Sequence, residues 1–263
     1  MRRNLRFIIE LIRLRLIHVM VFRMGFFGPF FVDGSLAIVQ LLVFQGIYSN
    51  VDRIGTWGRG EMVIFIGTYS LVNALSMVIY FFGVFTIPDK IRSGDMDMYL
   101  TKPMNPLLRL TFENVNFGSA PLVILSSCII LYGVSITDIR VSFIHVLGYL
   151  FLLILMTTIH YDLEVLVRTV AFFVGSTVNI IRLEEEGLEL CMKLPGTIFK
   201  GAFKVLFYVI LPYGIIATIP TQYLTNALSI SGLFFAIGMC IAFTIFTMYF
   251  WKLGLKHYNS VSS

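Results

Sequence analysis

Residues Ile230-Ser-Gly-Leu-Phe-Phe-Ala-Ile-Gly-Met-Cys-Ile-Ala-Phe-Thr-Ile-Phe-Thr-Met-Tyr-Phe-Trp251 run without one Asp, Glu, Lys or Arg. An α-helix needs about 20 such residues to cross the roughly 30 Å hydrocarbon core of a bilayer. Comparable apolar runs stand at 29–50, 60–86, 110–133, 141–180 and 197–219. Of the 263 residues 57% are apolar and only 13% charged, with a mean hydropathy of +0.86, a balance at which a soluble domain would aggregate. The runs have the length of helices rather than of the alternating strands of an outer-membrane barrel. The expected fold is all-α, a polytopic membrane bundle of six transmembrane helices forming one domain over 1–263.

Charge sets the expected orientation. Arg2, Arg3, Arg6, Arg13, Arg15 and Arg23 make the first residues too basic and too long for a cleavable signal, so they read as mature protein. On a helix Leu5, Ile9, Ile12, Leu16 and Val19 form one stripe flanked by Arg2, Arg6 and Arg13, which predicts an amphipathic interfacial helix within 1–28. Six spans put both termini on one side, and the segments 1–28, 87–109, 181–204 and the tail from Lys252 then hold sixteen Lys and Arg. The opposite loops hold only Arg53, Arg59 and Arg140, so both termini are expected in the cytoplasm. The run 141–180 is twice the length of a span and contains Asp162, Glu164 and Arg168; one long helix leaving the membrane near Asp162 is expected. Pro212 and Pro220 should break the fifth run, leaving a re-entrant or interfacial piece over 211–229.

Signatures of catalysis are missing. No G-x-x-x-x-G-K-[ST] occurs, so any use of ATP must come from a partner, and neither H-E-x-x-H nor G-x-S-x-G is present. Asp33-Gly-Ser-Leu-Ala37 begins like a phosphatidyltransferase signature, but Ile38 stands where an arginine is needed. Leu183-Glu-Glu-Glu-Gly-Leu-Glu-Leu190 lacks the arginine that follows the paired glutamates of intramembrane prenyl-protein proteases, and reads as a solvated cytoplasmic face. Cys128, Cys191 and Cys240 form no C-x-x-C pair, and His18, His145 and His160 have no metal-ligand spacing, so no catalytic, cofactor or metal site is expected. The net charge of +5 follows membrane side, not nucleic acid. Ionisable groups inside a membrane are functional by default, and Glu164 and Arg168 are spaced to pair on one helix face. Asp162, Glu164 and Arg168, with Gln40, Gln45 and Asn73, are therefore the candidate pathway residues; the competing reading is a self-neutralised pair at the headgroups and hydrogen bonds that join helices.

Between the second and third runs lies Ile87-Pro-Asp-Lys-Ile-Arg-Ser-Gly-Asp-Met-Asp-Met-Tyr-Leu-Thr-Lys-Pro-Met-Asn-Pro106. Pro88 should end the span, Asp89 to Arg92 should start a short surface helix stopped by Gly94, and Asp95 and Asp97 should project beside Arg92. Pro103 and Pro106 should fix extended backbone, giving a stiff element suited to a docked partner.

From Ile91 to Pro106 the chain closely resembles the IRSGELDLYLTKPxNP stretch of type-2 permeases of ATP-binding-cassette exporters, in the six-span subfamily of chains of this length. Leu211-Pro212 and Pro220 resemble its proline-marked fifth span, and Gly254-Leu-Lys-His-Tyr258 with Ser260 its GLKxYxSA ending. The resemblance implies a non-catalytic membrane subunit of a bacterial plasma membrane, forming a pathway as a dimer with itself or a sister permease. Separate ATP-binding-cassette ATPases would bind ATP and Mg and seat the loop 87–106 as a cytoplasmic coupling helix. Arg92, Gly94, Asp97, Leu100, Lys102 and Pro103 map onto the docking segment, and the cargo would be a hydrophobic or amphiphilic compound, drug or peptide. Asp162, Glu164 and Arg168 depart from the apolar or hydroxyl-bearing pattern expected there. The alternative is a stand-alone ion-coupled transporter that uses those three residues.

Overall fold

In the computed structural model, which describes residues 9–13, 28–137, 139 and 141–258, the long apolar runs are helices. The predicted interfacial helix within 1–28, His18 and Ser260 lie almost wholly outside the described residues; only 9–13 are seen, as helix. The long elements are α1 (Gly28–Tyr48), α2 (Arg59–Ile79), α7 (Ala120–Ile136), α8 (Phe143–Thr169), α9 (Val178–Lys193) and α13 (Ile230–His257). Shorter helices are α3 (Phe81–Val84), α4 (Ile87–Ser93), α5 (Asp97–Leu100) and α6 (Pro106–Glu113) before α7, and α10 (Gly201–Val205), α11 (Tyr213–Ile216) and α12 (Thr218–Leu224) before α13.

Among the described residues four helical segments are long and apolar enough to cross a membrane: Arg59–Ile79, Phe117–Ile136, Phe143–Phe172 and Ile230–His257. The pair Gly201–Ile210 and Tyr213–Leu224, bent by 75°, makes a fifth if taken as one span, and Gly34–Tyr48 is a shorter apolar stretch. The third run is not one helix: Asn114 to Asn116 separate the amphipathic α6 from α7. Its cause is local, since Asn116 caps the 3₁₀ turn Phe117–Ser119 by accepting from the Gly118 amide at 3.0 Å. The fourth run is a single helix to Thr169, as its charge pattern predicts.

Two ends of the bundle can be defined by its loops. Gly60 faces Gly133 and Thr137, whereas Asn116 N donates to Val78 O, so α2 and α7 are antiparallel. The loops 49–58 and 137–142 thus share the upper end, and residues 80–116 sit at the lower end. Helix α8 runs parallel to α2, with Tyr149 on Thr68 and His160 on Tyr80, and α13 runs parallel to α8, with Thr244 on Asp162 and Trp251 on Phe172.

Segment 181–204 departs from expectation. Rather than forming a loop at the lower end, α9 starts beside Asp89 and Arg92, passes Tyr69 at Leu188, and reaches Gln40 at Met192 and Ile54 near Leu194. It runs up the bundle, antiparallel to α2. Arg182, Glu185, Glu186 and Glu189 with Lys193 form an exposed face at helical spacing, while Ile181, Glu184, Leu188 and Cys191 turn inward. The chain after α9 dips back: Phe207 packs against Gly187, Pro212 breaks the helix, Tyr213 reaches Glu184, and Asn226 returns to His145 at the upper end. The predicted fifth span 197–219 is therefore a bent hairpin whose two ends lie on one side of the bundle.

Helices α2 and α7 pack backbone on backbone, where a Cβ at Gly133 would lie 2.8 Å from Ile64 N and one at Gly67 2.9 Å from Ile130 N. Lipid supplies no hydrophobic force between helices, so backbones that can touch through small residues gain the packing. Gly133→Ala should cost about 1–3 kcal/mol by forcing the two backbones apart. Gly46→Ala, with nothing within 4 Å of the new Cβ, should cost nothing comparable; thermal unfolding in detergent compares the two.

Candidate functional site

The polar insert folds as a compact unit at the lower end. Pro88 sits in the first turn of α4, where its missing amide is harmless, and Gly94 ends that helix in the left-handed conformation at φ 81°. Asn105 caps α6 by accepting from the Leu107 amide at 2.9 Å, so Pro106 starts a helix rather than extending the chain. Arg92 pairs with Asp89 on its own helix instead of with Asp95 or Asp97, and Ser93 holds Asp95 at 2.8 Å. The i,i+3 spacing within α4 brings its partner close before the chain has turned at Gly94.

A half-buried polar knot locks the unit. Tyr99 OH donates to both Glu113 oxygens, at 2.7 and 2.8 Å, and accepts from Lys90 Nζ at 2.5 Å; Lys90 also donates to Glu113 at 2.8 Å. The Arg109 guanidinium covers the Tyr99 ring at 4.4 Å. Burial works against the Lys90 ammonium, yet its hydrogen bonds to Glu113 and Tyr99 prevail and leave its pKa raised. Tyr99 is raised as well, first by burial. Beneath the knot Ile87, Ile91, Met96 and Leu110 pack against Val165, Phe172 and Trp251 of the long helices. Gly83 permits the closest approach, since a Cβ there would lie 1.9 Å from the Leu110 carbonyl oxygen. The tail joins from the other side: Tyr258 packs on Phe172, and burial together with the nearby Asp97 raises its phenol pKa.

The predicted docking residues Arg92, Leu100, Lys102 and Pro103 lie on the exposed side of this unit, while Gly94 and Asp97 are half-buried. Met98 and Leu100 are 57% and 41% exposed although apolar. Between α4 and α9 runs a groove of about 290 Å³, lined by Pro88, Asp89, Arg92, Ile181, Arg182 and Glu185.

The candidate pathway residues separate into two groups. Gln40 Nε2 donates to the Met192 carbonyl at 2.6 Å, and Gln40 and Asn73 line a small cleft between α1, α2, α7 and α9; Gln45 is exposed on α1. Gln40 also borders a groove of about 950 Å³ between α1 and the end of α9, otherwise formed mainly by Val39, Val43, Phe44, Met62 and Ile198. Asp162, Glu164 and Arg168 are buried instead. Asp162 accepts from Thr244 Oγ1 at 2.7 Å. Arg168 Nη1 lies 2.8 Å from Glu164 Oε2 and 2.5 Å from Glu184 Oε2, and Glu184 also accepts from Tyr213 OH at 2.8 Å. The pair expected at the headgroups is thus an internal three-charge lock with its second carboxylate on α9. Glu184, read in the sequence as part of a solvated face, is buried. His160 is held by Tyr80 OH at 2.9 Å.

Sequence reasoning missed Lys90, Tyr99, Arg109 and Glu113 as a group, and Glu184 with Tyr213, because apart from Arg109 and Glu113 on α6 their partners lie 9 to 29 residues apart along the chain. Tyr99→Phe should loosen the insert by about 1.5–3 kcal/mol, the range for hydrogen bonds to charged groups. Trypsin should then cleave faster after Arg92 than in the parent.

Comparison with known families follows the same lines as this geometry. A family model described as an ABC-2 family transporter protein matches residues 35–262, nearly the whole chain. Neither the curated proteins nor the solved structures give a match. The chain belongs to the ABC-2 family and is a multi-pass membrane protein, a permease subunit of ATP-binding-cassette transport.

Proposed function

We propose that this chain is the non-catalytic permease of an exporter, paired with a second copy or a sister permease and driven by separate ATP-binding-cassette ATPases seated on the insert 87–106. The observation that carries this reading is the insert's exposed face. An apolar pair, Met98 and Leu100, stands between Arg92 and Lys102 on a unit stiffened from behind by the Lys90–Tyr99–Glu113 knot. Exposed apolar side chains on a rigid polar platform mark a protein contact. The lower end would be cytoplasmic, in keeping with the bases of 87–109 and the tail, in the plasma membrane of a bacterium.

In this reading α1, α2, α7, α8, α9 and α13 are the six crossings, and 196–226 is re-entrant from the outer side. The exposed Arg182, Glu185, Glu186, Glu189 and Lys193 cannot face lipid along a crossing helix, because charges at the bilayer centre are costly. They would face water or the second permease, which makes α9 the pathway helix. The apolar groove beside it, edged by Gln40, Glu189 and Lys193, suits a hydrophobic or amphiphilic cargo. ATP and Mg would bind to the partner alone, whose closure on ATP would push the insert and open the pathway outward. The stand-alone carrier is the weaker reading, since Arg168 is paired with Glu164 and Glu184 inside the bundle rather than placed on an open path.

Leu100→Asp should weaken capture of a co-expressed ATP-binding-cassette ATPase that the parent chain binds by about tenfold or more, as for an interface hot spot, while membrane insertion persists. Undiminished capture by the variant would count against the docking site, and the lack of any stable complex with the parent would count against the exporter.

A further inference from the structure

We propose that Arg168 is the positioning residue through which movement of the insert reaches α9 and the re-entrant hairpin, an inference that rests on the exporter reading above. Its neighbours on α8 point to the insert: Val165, and Ala171 and Phe172 just beyond the helix, pack in one cluster with Ile87, Ile91 and Met96. Arg168 itself points the other way. It is 1% exposed and the largest fully buried side chain among the described residues. Its Nη1 binds Glu164 on its own helix and Glu184 on α9, and Glu184 in turn holds Tyr213 at the start of α11. One short stretch of α8 therefore touches the insert on one side and, through a chain of two contacts, both α9 and the hairpin on the other.

The chemistry suits transmission. Apolar surfaces can slide past one another at little cost, whereas a guanidinium buried between two carboxylates has few alternative arrangements. Among the described residues, Arg168 is the cation that the structure pairs with both Glu164 and Glu184. If α8 shifts, Glu184 must follow or leave a buried charge unpaired. Because Glu184 is one turn below Leu188, which meets Tyr69, the pull would act on the lower half of α9, next to the groove it shares with α4.

The test uses the full chain assembled with its ATPase in lipid nanodiscs. On a background lacking Cys128, Cys191 and Cys240, spin labels are placed by E186C on α9 and L147C on α8, and their separation is measured with and without a non-hydrolysable ATP analogue. The parent should change separation when the analogue binds. Arg168→Met should lose that change while still inserting and binding the ATPase; Glu184→Gln, isosteric and still able to bond Tyr213, should reduce it; Arg168→Lys should restore part of it. A full change in Arg168→Met overturns the proposal. Where Arg168→Met fails to assemble, a full change in Glu184→Gln overturns it equally. A parent that ignores the nucleotide while still binding the ATPase instead overturns the exporter reading on which the inference rests.

Discussion

A guanidinium taken out of water must be answered by charge, and Arg168 is answered from two elements at once. Desolvating such groups costs several kcal/mol each, and removing one member of a buried pair costs about 3–5 kcal/mol because the other is left alone. This constraint decides where α9 lies. Helix α9 is too polar to be drawn into the bundle by apolarity, and its outer face keeps Arg182, Glu185, Glu186, Glu189 and Lys193 exposed. Glu184 on Arg168, Tyr69 OH on the Leu188 carbonyl and Gln40 on the Met192 carbonyl tie it along its length. Once α9 is fixed, the hairpin follows, with Tyr213 on Glu184 and Thr218 Oγ1 accepting from the Gly196 amide at 2.8 Å.

The apolar helices were legible because lipid forces a spanning segment to satisfy its own backbone and to be long. Residues 60–79 and 230–257 could be read from run length, whereas the single helix over 143–169 was read from the charge pattern. Segments 181–219 inverted that logic. Leu183-Glu-Glu-Glu-Gly-Leu-Glu counts as hydrophilic when summed, although its helical period separates an exposed polar face from an inward one. The stretch 197–219 counts as a span when summed, although Pro212 and the π turn Leu206–Ile210 fold it back. Summed hydropathy is blind to both, since it discards direction around and along the helix axis. Lys193, Lys200 and Lys204 were likewise counted with the lower end, although α9 runs up the bundle to Lys193.

The insert shows the same division at smaller scale. Its helix and stop were legible because Pro88 and Gly94 act through their own backbone angles. Its internal lock was not, because Glu113 lies beyond the segment and joins Lys90 and Tyr99 only after α6 has folded back. The candidate docking residues were placed by resemblance, and four of them prove to be exposed together. The residues that hold them there carry no local signature.

Two kinds of joint result, and they differ in stiffness. Helix α2 meets α7 through Gly67 and Gly133, which lie against Ile130 and Ile64, and α3 meets α6 through Gly83, which lies against the Leu110 carbonyl. Those joints fix α2 against α7 and α3 against α6. The hairpin packs through Phe207, Ile215, Ile216 and Ile219 into the apolar core of α2 and α8, whereas α9 adds polar ties at Glu184, Leu188 and Met192, and a groove of about 950 Å³ lies between α1 and its end. A glycine joint holds by close packing, and the Arg168–Glu184 contact holds because either charge left alone inside the bundle is costly. Under the proposal above, the insert and α8 would move together, and the Arg168–Glu184 contact would carry that movement to α9, the helix that has both the polar face and the groove beside it.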